Sequence, residues 1–252
     1  MHLTRKILYC GVTDPGLCRE TNQDAVSSFV KDGWGLFVLA DGMGGHAKGE
    51  LASESIIREF ESYWGQLEPR LREAEFQFIC QQVQERIQQV NRKIYLQYNQ
   101  GQVCGATVAA LLVGEGCYAA FSVGDSHIYS YGEDRFDLLS VDDIWDMLPT
   151  TVCSYTKAEI AAHVNCGKLT QAVGSSPQVA VHVRVDELSK GQKFLLCSDG
   201  LYKNSEEQQL ILELKTARSR RTMKESIKRL IKTVYNNGAD DNISIIFVQT
   251  VP

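Results

Sequence analysis

The 252-residue chain lacks the features that mark several large classes of protein. No apolar run approaches the roughly 18 residues needed to cross a bilayer, so we expect no membrane partner. Residues 1–10 carry Arg5 and Lys6 without a long apolar stretch behind them, and we therefore expect no secretory signal. The net charge is −5 at pH 7, whereas nucleic-acid binders are usually basic, so we expect no nucleic-acid partner.

The cysteine pattern disfavours two common kinds of site. Eight cysteines are scattered along the chain and no two form a Cys-x-x-Cys pair, which disfavours a zinc ribbon or a thioredoxin-type redox centre. Several lie in apolar runs, where cysteine behaves as a small hydrophobe, and a reducing, cytoplasmic location fits best. Low-complexity linkers and internal repeats are also missing. We therefore expect residues 1–252 to form a single domain that acts as a monomer.

Apolar periodicity predicts groups of strands and helices. Two helical stretches carry apolar residues on one face, one spanning Ala52 to Trp64 and the other Phe76 to Ile94, and residues 201–235 also read as mostly helical. Strand-like runs occur at 34–40, 106–113, 117–123, 193–197 and 243–248, and residues 178–185 alternate as a half-buried strand does. Most strands follow one another too closely for helical crossovers. The order therefore predicts an α+β fold of antiparallel sheets with helices packed outside.

Acidic residues stand at one end of four predicted strands. They are Asp41, Asp125, Asp199 and the run Asp240-Asp241-Asn242. Any one of them could simply cap a turn. If these strand ends meet, however, the carboxylates must take up protons or hold cations, because a partly buried cluster of like charges is costly. Oxygen donors without matching cysteine or histidine favour a hard divalent ion, Mg²⁺ or Mn²⁺.

A glycine-rich loop and an early arginine point to phosphate chemistry. Asp41 is followed by the sequence GMGGH at 42–46, and glycines let a backbone approach a bound ion or phosphate closely. This is not a P-loop, because no Gly-Lys-Ser/Thr follows, and it does not match a dinucleotide fingerprint. Arg19 offers a planar fork suited to two phosphate oxygens, although an ordinary surface arginine is the simpler alternative.

Seven segments together resemble the metal-dependent PP2C-type (PPM) serine/threonine phosphatases in their compact bacterial form. They occur in the family's order and span nearly the whole chain. They are RETNQD at 19–24, VLADGMGGH at 38–46, GAT at 105–107, VGDS at 123–126, LTQAVG at 169–174, LLCSDGL at 195–201 and DNI at 241–243. The resemblance implies a central antiparallel β-sandwich flanked by α-helices on both faces, with a metal centre at one end.

The resemblance also implies a ligand set for Mn²⁺ or Mg²⁺, with two ions and room for a third. Asp41 would bridge the two ions, and Gly42 would offer its backbone carbonyl to the first. Asp199 and Asp241 would bind the second ion. Asp125 together with Asp199 resembles the weaker third site of bacterial members.

Two further residues acquire catalytic roles from the same resemblance. Asp24 would orient metal-bound waters, and Arg19 would hold the substrate phosphate. Two ions about 3.5–4 Å apart would lower the pKa of a bridging water, which would then attack phosphorus in line. No covalent phospho-enzyme is needed, so the cysteines need no nucleophilic role.

The chain departs from the family pattern at several positions. Met43 stands where some members have a histidine thought to protonate the leaving alcohol, and His46 lies further on. His127 replaces an arginine that is common after Gly-Asp-Ser, and Gln171 replaces another in the segment 169–174. Residues 140–166 correspond to a variable flap and contain an unusual Asp-Asp-Ile-Trp sequence. We expect these differences to affect substrate choice and turnover.

The main hypothesis is therefore an active phosphatase that removes phosphate from phosphoserine or phosphothreonine in proteins and opposes a cognate bacterial serine/threonine kinase. A catalytically weak phosphoprotein-binding pseudophosphatase is one alternative, and a nucleotide-binding module that uses the 42–45 loop is another. A basic stretch adds a separate question, since it is either a solvated helix face or a docking surface for an acidic partner. Its members are Lys215, Arg218, Arg220, Arg221, Lys224, Lys228, Arg229 and Lys232.

Overall fold

A computed structural model describes residues 6–43, 48–71, 73–98 and 103–251. Two antiparallel sheets lie at its centre. Five strands form the first sheet, in the spatial order Lys6–Asp14 (β1), Ile243–Val251 (β11), Lys193–Cys197 (β10), His127–Gly132 (β7) and Arg135–Leu138 (β8). The second sheet has the order Asp24–Lys31 (β2), Trp34–Met43 (β3), Val108–Gly114 (β5), Cys117–Val123 (β6) and His182–Glu187 (β9), and the short strand Gly105–Ala106 (β4) pairs with the end of β3.

The central strands are continuously apolar because both of their faces are buried. In β3, Phe37 and Leu39 point into the core between the sheets, whereas Leu36 and Val38 point to the helices outside. Phe194 of β10 reaches the same inner core from the opposite sheet. Each fully buried side chain of this size contributes about 1.5–3 kcal/mol by leaving water. A strand buried on two sides has no polar face, which explains the unbroken apolar runs of the sequence.

Two long helices cover the outer face of the second sheet. They are Lys48–Leu67 (α1) and Phe76–Tyr98 (α2), and each contains one of the two apolar stripes predicted from the sequence. Ala52, Ile56, Phe60 and Trp64 are all buried on α1, and the predicted stripe of α2 is buried as well. Both stripes belong to one core with the outer face of β3. The predicted role of these helices in core packing is confirmed.

Three helices cover the outer face of the first sheet: Asp199–Tyr202 (α5), Glu207–Thr216 (α6) and Arg220–Asn236 (α7). Helix α7 buries Met223, Ile227, Leu230 and Val234 against this sheet. All eight residues of the basic stretch lie on the solvent side. Arg229 makes two hydrogen bonds, of 2.8 and 2.6 Å, to the buried Glu213 carboxylate of α6.

The flap predicted at 140–166 contains a 3-10 turn, Trp145–Met147, and the short helices Pro149–Ser154 (α3) and Lys157–Ala162 (α4). Thr156 and Glu159 form a capping box at the start of α4. Among the described helices, none combines the length and apolar character needed to cross a membrane.

Some strand predictions differ from the structure. The run 106–113 is divided at Thr107 into β4 and β5, because residue 107 leaves the ladder to contact Asp41. The strand predicted at 178–185 begins only at His182 and is a largely exposed sheet edge. Strands β1, β2, β7 and β8 had not been predicted. The α+β sandwich with helices on both faces is nevertheless confirmed.

Candidate metal centre

The acidic residues meet at one end of the sandwich, where they line a pocket of about 300 Å³. The pocket collects segments that are far apart in the sequence. Its lining residues are Arg19, Gln23, Asp41, Gly42, Met43, Thr107, Asp125, Gly167, Leu169, Asp199, Lys203 and Asp241. Asp24 lies behind it, as the register partner of Asp41 across the β2–β3 pair. His46 and Gly44–Gly45 of the predicted loop lie outside the described residues.

Asp41 is held by Thr107 and by a close approach of helix α1. It lies inside β3 rather than directly after a strand, because the strand continues to Met43. Its backbone N–H donates to Thr107 Oγ1 at 3.1 Å, and Thr107 N–H donates to the Asp41 carbonyl at 2.8 Å. A Cβ at residue 42 would overlap the carbonyl of Gly49 at the start of α1, so only glycine allows this approach.

The loop that carries Arg19 is fixed to the start of β11 by Asn242. The Asn242 side chain donates to the carbonyls of Pro15 and Thr21, at 2.9 and 3.2 Å, and accepts from the N–H of Gln23 at 2.8 Å. Arg19 Nη2 then lies 2.8 Å from Asp241 Oδ2, with half of its side chain exposed. The predicted phosphate-binding arginine is therefore at the pocket and within reach of solvent.

Asp199 and Lys203 form a second ion pair in the pocket. Ser198 and Ser244 exchange hydrogen bonds between β10 and β11, which fixes the chain just before Asp199. Lys203 Nζ lies 2.6 Å from Asp199 Oδ2 and 3.8 Å from Asp125 Oδ2. Burial lowers the pKa of Lys203, but its hydrogen bond and charge interaction with Asp199 outweigh burial, so the pKa is raised.

Asp125 is positioned by a clamp on the preceding glycine. Gly124, at φ +93°, donates to Asp143 Oδ2 at 2.8 Å and accepts from the Asp143 N–H at 3.0 Å. Gln171 Nε2 donates to the same Asp143 oxygen at 2.7 Å, and His182 Nε2 lies 2.8 Å from the other one. The unusual Asp143 and Gln171 of the sequence therefore act together.

His127, which stands where the family commonly has an arginine, makes three side-chain contacts with residues that the structure describes. Its Nε2 lies 2.9 Å from Asp142 Oδ1, and its Nδ1 lies 2.6 Å from the Tyr129 hydroxyl. The imidazole stacks on Tyr202, with ring centroids 3.7 Å apart. These bonds tie the start of the flap to β7 and to the helix that carries Asp199.

Burial and mutual repulsion make the carboxylates unusually basic. Burial raises the pKa of Asp41 well above its ordinary value, and the charge of Asp24 adds to this. Burial likewise raises the pKa of Asp125 to about 6, with a further contribution from Asp199. For Asp24 the pKa also rises to about 6, chiefly through burial, although the Ser244 and Ser198 hydroxyls lower it. A bound cation would favour the ionised form of each of these carboxylates and so lower their raised pKa values.

The donor set fits divalent ions. Both Asp24 carboxylate oxygens are buried and have no hydrogen-bond partner of ordinary geometry among the described residues, although the Ser244 and Ser198 hydroxyls are near enough to lower the pKa of Asp24. The nearby carboxylates offer the oxygen donors that Mg²⁺ and Mn²⁺ prefer. Within the described part of the chain, no three Asp, Glu, His or Cys side chains are already spaced around one ion. Asp241 and Asp199 instead face Arg19 and Lys203.

The structure brings every predicted site residue to this end of the sandwich, namely Arg19, Asp24, Asp41, Gly42, Asp125, Asp199 and Asp241. Sequence reasoning named Asn242 and Asp143 without assigning them a role, and it did not single out Lys203. Lys203 stands four residues after Asp199, a spacing that brings side chains together on a helix and was a usable signal. Asn242 and Asp143 act on partners that are distant in the sequence, so no local signal could have revealed them.

Comparisons with known proteins agree with this geometry. The family model for protein phosphatase 2C matches residues 19–245. The chain is 30% identical to the serine/threonine phosphatase stp of Listeria innocua, over 94% of this chain and 93% of the relative. It is similar in structure to the serine/threonine phosphatase of S. agalactiae, with a TM-score of 0.84, 28% identity, and 96% and 99% of the two chains covered.

A second solved structure bears on the metal. It is the catalytic domain of the serine/threonine protein phosphatase PstP in complex with two manganese ions, with a TM-score of 0.79 and 25% identity over 98% of this chain and 99% of that one. Fold, pocket and relatives together define a metal-dependent protein serine/threonine phosphatase that acts on phosphoproteins. The chain belongs to the protein phosphatase 2C family.

Proposed function

We propose that Asp41, Asp199, Asp241 and the carbonyl of Gly42 hold two Mn²⁺ or Mg²⁺ ions, and that the enzyme hydrolyses phosphoserine and phosphothreonine at this centre. The observation that carries the proposal is the meeting of four carboxylates from separate segments in one pocket that also contains Arg19. Their mutual repulsion is compensated only in part by Arg19 and Lys203. Divalent ions would supply the missing positive charge.

The phosphate would be held by the chain's own cations. When bound, the ions would supply Lewis acidity toward the phosphoryl oxygens and make water a nucleophile at neutral pH. Arg19 presents a planar guanidinium that can donate two parallel hydrogen bonds to phosphate oxygens. Among the described residues, its half-exposed side chain pairs with one Asp241 oxygen, so donors remain available for the substrate.

Asp24 would orient water in the centre. Ionised carboxylates only accept hydrogen bonds, and both oxygens of Asp24 lack a protein partner of ordinary geometry in the described residues. Because Asp24 pairs with Asp41 across the β2–β3 ladder, a water that donates to Asp24 would lie beside the Asp41 carboxylate. Asp24 therefore has a positioning role in this proposal, without direct contact with the phosphate.

We also propose that the substrates are proteins phosphorylated by a cognate serine/threonine kinase in a bacterial cytoplasm, and that the chain works as a monomeric single domain. The names of the relatives support the substrate class, and the two packed sheets support one domain. Light scattering of the purified protein tests the monomer. Removal of phosphate from an autophosphorylated serine/threonine kinase domain tests the partner.

The direct test is hydrolysis of para-nitrophenyl phosphate and of a phosphothreonine peptide, with and without Mn²⁺. We expect Mn²⁺-dependent release of phosphate that falls by roughly 100-fold or more in Asp199→Asn, the scale of losing one preorganised electrostatic group. Asp240→Asn is the matched control, because Asp240 is an exposed aspartate near the site that does not line the pocket. We expect it to keep normal activity.

Two outcomes would count against the proposal. Folded, Mn²⁺-loaded protein that releases no phosphate would favour a phosphoprotein-binding role. Equal losses in Asp199→Asn and Asp240→Asn would show that the charge of this region matters without a specific ligand at residue 199.

A further inference from the structure

Lys203 lies where a third cation would compete for the same ligands. Its Nζ is 2.6 Å from Asp199 Oδ2 and 3.8 Å from Asp125 Oδ2. These are the two carboxylates that the family resemblance assigns to a weaker third ion. One ammonium group therefore contacts both of them from within the chain.

The position of Lys203 is fixed by its local backbone. Its N–H donates to the Asp199 carbonyl at 3.0 Å, so the two side chains face each other four residues apart. The preceding residue, Tyr202, is stacked on His127, which holds this turn against β7. Lys203 Nζ also lies 5.9 Å from the Tyr202 ring centroid, within cation–π range.

The charge balance of the pocket also favours two ions. Among the described residues of the pocket, and with Asp24 included, five carboxylates face two side-chain cations, Arg19 and Lys203, which leaves an excess of three negative charges. Two divalent ions would turn this into one positive charge, which suits an anionic phosphate group. A third divalent ion would add two more positive charges directly beside the Lys203 ammonium, and repulsion at that distance is strong in a partly buried site.

We propose that the Lys203 ammonium takes the place of the third divalent ion, so that this enzyme works with two ions and a built-in cation between Asp125 and Asp199. The inference rests on the proposed two-ion centre. It replaces the expectation of a third ion with a role for a residue of this chain, which neutralises Asp125 and Asp199 without metal from solution.

The test counts bound Mn²⁺ per chain by equilibrium dialysis and elemental analysis, with free Mn²⁺ raised to about 1 mM, which is the dissociation constant of the weakest Ca²⁺ sites in proteins. We expect two ions in the wild-type protein. Lys203→Met removes the charge but keeps most of the side-chain length, and we expect it to bind three. Lys203→Arg keeps the charge and should bind two. Lys224→Met, on the exposed side of α7, is the matched control and should also bind two.

The outcomes separate this inference from the proposed function. Three ions on the wild-type protein would overturn the role of Lys203 and leave the two-ion centre intact, and this count needs no variant. Two ions on a folded Lys203→Met protein would overturn it as well. Fewer than two ions on the wild-type protein would contradict the metal centre itself. Thermal melting of each variant shows that the counts come from folded protein.

Discussion

The Thr107 hydroxyl offers the sharpest test of how the fold supports the proposed metal centre. Thr107 is buried, accepts from the Asp41 N–H at 3.1 Å and lies 2.6 Å from the Ser126 hydroxyl. Thr107→Val keeps the volume but leaves both of these buried groups without their partner. Each unsatisfied group costs about 1–3 kcal/mol, so we expect a loss of about 3 kcal/mol in the free energy of unfolding. For a chain of this size that corresponds to a fall in Tm of about 6–12 °C.

Thr107→Ser is the control, because it keeps the hydroxyl and removes only the methyl group that packs against Gly124. Loss of one buried methyl costs about 1 kcal/mol. We further expect Thr107→Val to weaken Mn²⁺ binding by roughly 10- to 100-fold, the usual effect of removing a group that orients a ligand, whereas Thr107→Ser keeps nearly normal affinity.

The assays are thermal melting with and without Mn²⁺, and Mn²⁺ titration by calorimetry. Equal Mn²⁺ affinity in Thr107→Val and Thr107→Ser would refute the idea that this hydroxyl orients Asp41. A Thr107→Val protein as stable as the wild type would refute the free-energy cost assigned to losing the two buried hydrogen bonds.

Three further predictions concern the same end of the sandwich. In the presence of a metal chelator, the free energy of unfolding of the wild-type protein should fall as pH rises from about 4 to 6. The reason is that folded Asp125, with its pKa raised to about 6, still holds a proton that the unfolded chain has released. The change is at most about 3 kcal/mol for this residue, and melting from pH 4 to 8 should show a smaller fall in Asp125→Asn; an unchanged profile would contradict the assignment. Asp143→Ala removes the acceptor of the Gly124 N–H, and it should lower Tm by about 4–8 °C and weaken Mn²⁺ binding. A loss of stability with normal Mn²⁺ affinity would limit Asp143 to a purely structural role. Gly42→Ala should disrupt the contact with α1 and abolish Mn²⁺ binding. Gly65→Ala is the control, because its Cβ would meet nothing within 4 Å, and it should raise the free energy of unfolding by about 0.5–1 kcal/mol. Equal effects at the two glycines would contradict the packing argument.

The sequence predicted the parts of the fold whose residues are buried on a regular period. Strand β3 and the stripes of α1 and α2 fall in this group, since their apolar residues meet one continuous core. Strands β1, β2 and β7 were missed because polar side chains interrupt them. In β7, for example, His127 and Ser130 are buried, and the His127 ring is satisfied by partners that only the folded chain supplies.

The site residues also fall into those that could be predicted from the sequence and those that could not. Asp41, Asp125, Asp199 and Asp241 could be predicted because each stands in or beside an apolar strand, and they meet because these strands, two from each sheet, end on the same side of the sandwich. The groups that position them could not, because their partners come from distant segments: Asn242 reaches Gln23 across 219 positions, and Asp143 reaches Gly124 from the flap. Lys203 was overlooked because a single lysine carries no pattern by itself, although its spacing from Asp199 is local.

The place of β11 in the first sheet sets an order of events during synthesis. This strand lies between β1 and β10, and the residues just before it include Asp241 and the Asn242 that fixes the Arg19 loop. A nascent chain that has not yet released residues 241–251 from the ribosome has neither the bridge between the first and the tenth strand nor a complete acidic pocket. Chains that stop before residue 241 therefore lack phosphatase activity, which begins only after β11 has been made and paired with β1 and β10.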